Sequence, residues 1–159
     1  MYYDEAEEVY YGYDLSTDKG YDNFVKRLVL MARNTPEYKR WSKDCKVRAD
    51  EKMEFECPFC GVEYEFSRIE SHHYPKTLYE IFDYEVQKYI QSGTLNEDYI
   101  TPLEIVKNVM DLHKDNKVEY VNLCKGCHER FHAMDEKIRQ QVYEYWKEKK
   151  EENAGKEEQ

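Results

Sequence analysis

Two pairs of cysteines with the same spacing are the residues of this chain best suited to bind a metal ion. Cys57 and Cys60 form the first pair, and Cys124 and Cys127 form the second. Zinc prefers a tetrahedron of thiolate or imidazole ligands, and a Cys-x-x-Cys pair supplies two neighbouring corners from one turn. The entropy cost of closing the loop between the pairs grows only logarithmically with its length. We therefore expect a structural zinc (Zn2+) site, and because four thiolates complete it, no position stays open for a substrate.

The remaining cysteine and the start of the chain agree with this interpretation. Cys45 is left over, and we expect it to be a small, buried or half-buried residue without a role. The acidic first residues do not resemble a signal peptide, and the longest apolar run, 28–32, is far shorter than the roughly 20 residues that span a bilayer. Cysteines of cytoplasmic proteins bind metals more often than they form disulfides. We expect a cytoplasmic protein without a membrane partner.

Histidines near the cysteine pairs predict a second and chemically different centre. His128 and His132 are four residues apart at the start of a predicted helix, so they share one face and can hold one cation. His72 and His73 are adjacent on an extended segment, so they point to opposite faces. One of the two can bind metal while the other acts as a general base, a role that suits imidazole because its pKa is near neutral. His113 lies in the apolar stripe of a predicted helix and is expected in the core.

The order of these motifs resembles that of the HNH endonucleases, whose fold is called ββα-metal. A Cys-x-x-Cys pair is followed by His-His and then by Leu-Cys-x-x-Cys-His-x-x-x-His, within residues 57–145. The matching residues are Cys57, Cys60, His72, His73, Leu123, Cys124, Cys127, His128 and His132. The resemblance covers roughly half of the chain and leaves the N-terminal third unexplained. It implies a phosphodiesterase that uses one divalent cation and cuts DNA, which we expect to be double-stranded.

The resemblance also implies a role for each histidine. His73 would activate a water molecule as the general base. His72, His128 and His132 would hold the divalent cation, which is Mg2+, Mn2+, Ni2+ or Zn2+ and stabilises the developing charge. The roles of His72 and His73 could be exchanged, because the family often has a proline three residues after the base. Pro75 lies three residues after His72 but only two after His73.

The chain departs from the family pattern in two places. The middle asparagine of the family usually lies where this chain has Glu119, and Asn122 and Asn116 are the nearby substitutes. We choose Asn122, on a predicted strand, as the catalytic asparagine; a carboxylate at 119 could instead bind metal, or the site could be inactive. The segment from His73 to Cys124 is also about twice the usual length, because it holds two predicted helices with capping boxes.

The expected fold class is α+β, with a small ββα-metal, HNH-like core, the four-cysteine zinc site, N-terminal helices and a two-helix insertion. The capping boxes at Thr77 and Thr101 predict helices to about Gln91 and His113. The other expected elements are helices over 23–34 (capped by Asp22), from Pro36, and from His128 to about Lys150, and strands over 62–66, 68–73 and 118–123.

The expected organisation along the chain has four parts. They are an acidic, tyrosine-rich arm (1–20), a helical segment with a basic stretch (21–52), the HNH-like domain (53–150, with its insertion at 77–114) and a polar tail (151–159). The arm is expected to be poorly ordered or peripherally docked, and the alternative is a segment that imitates the charge of nucleic acid.

Charge separates the two leading hypotheses for function. The net charge is -10, but the acids are concentrated at the N-terminus, while eight bases and two acids fall within 26–48. A basic helix with Trp41 could follow DNA phosphates or simply be solvated. The histidine set favours an endonuclease, and the resemblance to the HNH family implies a phage or mobile element as its source. The acidity favours the alternative, an inactive HNH-like zinc-binding protein, for example a phage-encoded regulator, that binds a protein or nucleic-acid partner through the arm or the insertion. A zinc-ribbon regulator ranks last, since it would not need His128 and His132 together.

Overall fold

The computed structural model describes residues 9–46 and 54–157 and divides the chain into two compact units. The first unit consists of the chain up to Lys39 together with Lys76–Val118. The second consists of Arg40–Pro75 together with the chain from Glu119 onward. The helices that we expected as an insertion at 77–114 therefore share a unit with the N-terminal segment, a pairing that no local sequence signal indicated.

The first unit is a hairpin packed with three helices. Its elements are β1 (Val9–Tyr10), β2 (Tyr13–Asp14), α1 (Asp18–Arg33), α3 (Leu78–Gln91) and α4 (Pro102–Lys114). Helix α2 (Pro36–Asp44) begins in the residues of this unit and ends in those of the second. The apolar stripes of α1, α3 and α4 meet in a common core, which contains Phe24, Leu28, Phe82, Val86, Ile105 and Val109.

Residues 9–20, expected as a peripheral arm, contribute to this core instead, while residues 1–8 lie outside the described part of the chain. Tyr10 and Leu15 are each 1% exposed. Helix α1 starts earlier than predicted, because its N-cap is Thr17 and not Asp22; the Thr17 hydroxyl accepts the Gly20 amide at 3.0 Å. A Cβ at Gly20 would meet the backbone oxygen of Asp14 at 1.8 Å, so the approach of β2 to α1 requires glycine.

The N-caps predicted for α3 and α4 are confirmed. Thr77 accepts the Glu80 amide at 3.1 Å, and Thr101 accepts the Glu104 amide at 3.2 Å. His113 is buried in this unit as expected, and its Nδ1 lies 2.8 Å from the Val109 carbonyl oxygen.

The second unit holds two antiparallel strand pairs and two helices. Its elements are β3 (Glu54–Glu56), β4 (Glu63–Glu65), β5 (Ile69–His73), β6 (Tyr120–Cys124), α5 (Lys125–Phe131) and α6 (Glu136–Glu157). Strand β3 pairs with β4, and β5 pairs with β6 in a register that places Ser71 opposite Asn122 and His73 opposite Tyr120. The predicted strands are confirmed to within two residues at each end.

The prediction of one continuous final helix was wrong. The structure has two helices, α5 and α6, and Asp135 caps the second, since its carboxylate accepts the Ile138 amide at 3.0 Å. An N-cap carboxylate satisfies an amide that would otherwise lack a partner, and this local bond ends one helix and begins the next. Helix α6 then continues to Glu157, through most of the predicted tail.

The described part of the chain is thus α+β, which confirms the predicted fold class. It contains six α-helices and three two-stranded sheets. Within these residues no helix has the length and apolar character needed to cross a bilayer.

Candidate metal centres

The four predicted zinc ligands lie together in the second unit. The Sγ atoms of Cys57, Cys60, Cys124 and Cys127 are all within 4.8 Å of one another. The first pair follows β3, and the second spans the end of β6 and the first turn of α5. With zinc–sulfur bonds of about 2.3 Å, thiolates at such separations can surround one ion. The cluster could therefore bind a metal such as zinc, with all four tetrahedral corners filled by the chain.

The turn that carries Cys57 and Cys60 is shaped by backbone hydrogen bonds. The Gly61 amide donates to the Cys57 carbonyl at 2.8 Å, and the Cys57 amide donates to the Val62 carbonyl at 2.9 Å. Gly61 has a φ of 72°, a conformation that favours glycine. The predicted tight turn is thereby confirmed, and it brings two thiols to one side.

The thiols of this cluster differ in their acidity. Burial, together with the nearby Cys124 thiol, raises the pKa of Cys57, and burial also raises the pKa of Cys127. Burial acts in the same direction on Cys60, but hydrogen bonds from the Val62 amide and the Tyr64 hydroxyl outweigh it and lower the pKa of that thiol to about 7. Several neighbouring thiolates repel one another, and a bound cation would remove that repulsion.

Three of the predicted histidines form a second cluster. His72 on β5, His128 on α5 and His132 at the end of α5 each offer a ring nitrogen within 4.8 Å of the others. His128 Nε2 lies 2.9 Å from His72 Nδ1, and the ring of His72 packs edge-on against Phe131 at 5.2 Å. Three imidazoles leave part of a coordination shell open, as in catalytic rather than structural metal sites.

One member of the histidine cluster, His132, favours the neutral form that binds metal. Burial and then the charges of His128 and Arg139 lower the pKa of His132. A histidine must be deprotonated at its ligand nitrogen before it can coordinate. The local electrostatics therefore favour the ligand form of His132.

Glu70 is a functional candidate that the sequence reasoning missed. Its carboxylate accepts a hydrogen bond from Nδ1 of His128. A proton held at Nδ1 leaves Nε2 of His128 available as a ligand atom, and this is the usual role of a carboxylate behind a metal-bound histidine. The signal was present in the sequence, because Glu70 precedes His72 by two positions on a strand and therefore lies on the same face.

His73, the predicted general base, lies on the opposite face of β5. Its ring stacks on Trp41 with a centroid distance of 4.7 Å and an interplanar angle of 22°. The side chain is 5% exposed. The alternation predicted for the two adjacent histidines is therefore present, and it brings His72, not His73, to the cluster with the two helix histidines.

Asn122, the predicted catalytic asparagine, is buried and makes its contacts away from the histidine cluster. Its Nδ2 donates to the Cys45 carbonyl at 2.9 Å, and its Oδ1 accepts the Ser71 hydroxyl at 2.6 Å. Cys45 is half-buried, as expected, and burial raises its pKa to about 12. These contacts give Asn122 a structural partner on each side of its amide, and its catalytic role stays a prediction.

Glu119, at the usual position of the family's asparagine, and Asn116, the other substitute, also make their contacts elsewhere. The Glu119 carbonyl accepts the Tyr74 amide at 3.3 Å, and the Glu119 carboxylate hydrogen-bonds to Tyr143. Asn116 belongs to the first unit, where it follows α4 with a φ of 58°. Neither residue is among the described metal-binding groups.

Comparison with known proteins gives a family for the whole chain. The model of a family described as "Bacteriophage G278-like virion protein" matches residues 1–158. Comparisons with curated proteins and with solved structures gave no match. The description names a virion protein and no activity, so the resemblance to HNH endonucleases is neither supported nor opposed by it. Because the match spans nearly every residue, the chain belongs to the family of bacteriophage G278-like virion proteins.

Proposed function

We propose that this phage protein is a metal-dependent endonuclease of the HNH type, which hydrolyses phosphodiester bonds of double-stranded DNA. One observation carries the proposal, namely the convergence of His72, His128 and His132 within 4.8 Å of one another. These residues lie on an antiparallel strand pair, β5–β6, and the helix that follows it, α5. A strand pair and a helix that present one cation site are the parts that the proposed ββα-metal core requires.

The chemistry follows from what each side chain can do. The three imidazoles would hold one divalent cation (Mg2+, Mn2+, Ni2+ or Zn2+), which supplies Lewis acidity toward a phosphoryl oxygen and the leaving oxygen. Glu70 orients His128 through the hydrogen bond at Nδ1. His73 is our candidate for the general base. Its ring lies on the face of β5 opposite the three imidazoles and against Trp41, so the Trp41 ring must move and the His73 side chain must turn toward the cation before it can activate a water molecule there. The four cysteines hold the scaffold.

The test is a plasmid-nicking assay with Mg2+, Mn2+, Ni2+ or Zn2+ in turn. We expect nicking by the unmodified protein and its loss in His72→Ala and His128→Ala, because each change removes one of three ligands. Glu129→Ala is the matched control, since this exposed residue is next to His128 on α5. His73→Ala should lose nicking while it keeps the bound cation, which equilibrium dialysis measures.

Two results would contradict the proposal. Nicking that survives both His72→Ala and His128→Ala would come from another site or from a contaminant. No nicking with any of the four metals, in protein that binds a cation at the histidines, would leave the site without the proposed activity.

A second candidate function is an HNH-like zinc-binding protein that no longer cuts and binds a protein or nucleic-acid partner. The burial of His73 favours it, because a covered imidazole cannot act on water. The family description also favours a place in the phage particle over the host cytoplasm that the sequence predicted. Under this proposal the protein would bind its cation without cleaving DNA. His73→Ala would leave both cation binding and partner binding unchanged.

A further inference from the structure

The end of helix α2 covers one face of the β5–β6 strand pair. Trp41 stacks on His73 at 4.7 Å, with the rings only 22° from parallel. It also contacts Tyr120 edge-on at 5.7 Å, and Tyr120 is the residue that pairs with His73 in the sheet. Trp41 is 8% exposed. The indole and the imidazole therefore bury each other.

A second contact holds the same segment to the same face. The Cys45 carbonyl, one turn after Trp41, accepts the side-chain amide of Asn122 at 2.9 Å. Asn122 is held in turn by the Ser71 hydroxyl, and Ser71 and Asn122 are paired across the two strands. We call residues 41–45 the cover segment, because both its ends are attached to this face.

The cover segment has a consequence for chemistry at His73. A general base must come within hydrogen-bond reach of the water that it activates, directly or through one more water molecule. The Trp41 ring lies against one face of the His73 ring, and His73 is buried. A local opening that lifts only a few residues is a common motion at the end of a helix, and it would be enough to uncover the imidazole.

We propose that the cover segment is a closed lid over His73, with Trp41 as the residue that blocks access and Asn122 as the clamp that holds the lid. This inference rests on the proposed function in one respect, namely that His73 serves as the base. The lid itself is a statement about access to an imidazole, so it can be measured without any cleavage.

The two contacts have distinct roles in this device. Removing the indole uncovers His73 even if the backbone of residues 41–45 stays in place. Removing the Asn122 amide leaves the indole intact but frees the Cys45 carbonyl, so the lid opens more often. Trp41→Ala should therefore have a larger effect on access than Asn122→Ala.

The experiment measures the rate at which diethyl pyrocarbonate acylates each histidine of the full chain. Tandem mass spectrometry assigns the adduct to His72 or His73, and N-acetylhistidine in the same solution gives the rate of a free imidazole. We expect His73 of the unmodified protein to react on the order of tenfold or more slowly than the free imidazole, and Trp41→Ala to remove most of this protection. In Trp41→Phe, which keeps an aromatic ring, the acylation rate of His73 should lie between the rates in the unmodified protein and in Trp41→Ala.

Trp146→Phe is the matched control, because Trp146 lies in the same unit and contacts Tyr120 but belongs to α6 and not to the cover segment. Circular dichroism and zinc content show which variants are folded. If Trp41→Ala does not fold, the comparison of Trp41→Phe and Asn122→Ala with the unmodified protein carries the test.

Plasmid nicking by the same proteins then separates the lid from the proposed function. Faster nicking in Trp41→Ala, with an unchanged KM for DNA, supports both. Greater acylation of His73 together with slower nicking supports the lid but contradicts an inhibitory effect on cleavage, because Trp41 then positions the base. Acylation of His73 in the unmodified protein at the rate of the free imidazole overturns the lid. If no variant nicks DNA while the acylation pattern holds, the nuclease fails and the lid stands.

Discussion

The cysteine cluster and the histidine cluster lie in the same unit, but they differ in burial and in ligand number. Three of the four cysteines are buried, whereas His72 and His128 are partly buried and His132 is exposed. Cys127 and His128 are neighbours on α5, and successive residues of a helix point about 100° apart. One short helix thus places one side chain in a cluster of four candidate ligands and the next side chain in a cluster of three. The difference teaches that adjacent positions of a helix can belong to two chemically different clusters.

The two centres should differ most in what they contribute to folding. Structural zinc contributes roughly 10–16 kcal/mol in apparent binding free energy, which is comparable with the whole stability of a domain. A cation held by three partly exposed imidazoles stabilises the folded state only through mass action at its own affinity. We therefore expect the cysteine cluster to hold the second unit together and the histidine cluster to be dispensable for folding.

The largest effect is expected from Cys57→Ser. The loss of one buried thiolate should abolish zinc binding and unfold the second unit, because the two Cys-x-x-Cys turns would no longer be joined. Both tryptophans, Trp41 and Trp146, belong to this unit, so tryptophan fluorescence reports on it alone. Cys45→Ser is the control, since Cys45 lies outside the cluster. A native fluorescence spectrum and full zinc content in Cys57→Ser would remove the distinction between the two centres.

A smaller effect on folding, but a full effect on the open site, is expected from His132→Ala. Because His132 is exposed, its replacement should change the free energy of unfolding by no more than about 0.5 kcal/mol. Affinity for a divalent cation should fall by more than the roughly 10–100-fold that follows loss of an outer-shell partner.

Titration calorimetry with Mn2+ or Ni2+ measures the second quantity, and thermal unfolding measures the first. Lys137→Ala, another exposed change nearby, is the control for both. A large fall in Tm for His132→Ala with unchanged cation affinity would mean that the histidines, too, are structural.

Glu70→Gln should have an intermediate effect, because it alters a ligand without removing one. The amide oxygen of the variant can accept the hydrogen bond from Nδ1 of His128 but carries no charge. Cation affinity should therefore fall by about 10–100-fold. Glu129→Gln changes a carboxylate to an amide at an exposed position beside His128 and should leave the affinity unchanged. Equal affinities in the two variants would show that the Glu70 hydrogen bond does not tune the site.

Much of this arrangement could be predicted because its causes are local. The caps at Thr77 and Thr101 are set by a hydroxyl and an amide three residues later. The two Cys-x-x-Cys turns need only their own backbone. Strand alternation separates His72 from His73, and helical spacing places His128 and His132 on one face. Residue types at fixed spacings were sufficient for these features, whereas the grouping of His72 with the helix histidines was implied by the resemblance to HNH endonucleases.

The features that the sequence did not reveal depend on partners distant in the chain. The core of the first unit forms where the apolar stripes of α1, α3 and α4 meet. Nothing in the local sequence of 77–114 indicates that its helices pack with α1. Asn122 was chosen for its place on a strand, but its amide is occupied by Cys45, which is 77 positions away. The break between α5 and α6 was missed for another reason. The capping residue Asp135 is visible in the sequence, but the apolar period that continues across it predicted one helix.

The smallest predicted effect comes from His113, the histidine in the core of the first unit. Burial lowers the pKa of His113, while the hydrogen bond to the Val109 carbonyl opposes this shift. Between the lowered folded-state pKa and about 6.5, the unfolded chain therefore binds more protons than the folded one, and stability must fall as the pH is lowered. One such group can change the free energy of unfolding by at most about 1.4 kcal/mol per pH unit.

His113→Phe removes this titration and keeps a ring in the core of the first unit. The difference in Tm between pH 7.5 and pH 5 should therefore be smaller in the variant than in the unmodified protein, as measured by circular dichroism. An equal or larger difference would mean that His113 is not the neutral core residue that its burial indicates. A smaller difference would show that His113 is a neutral core residue. The imidazole side chain would then have a different environment at each of three positions: exposed in the cluster at His132, stacked under Trp41 at His73 and buried in the core at His113.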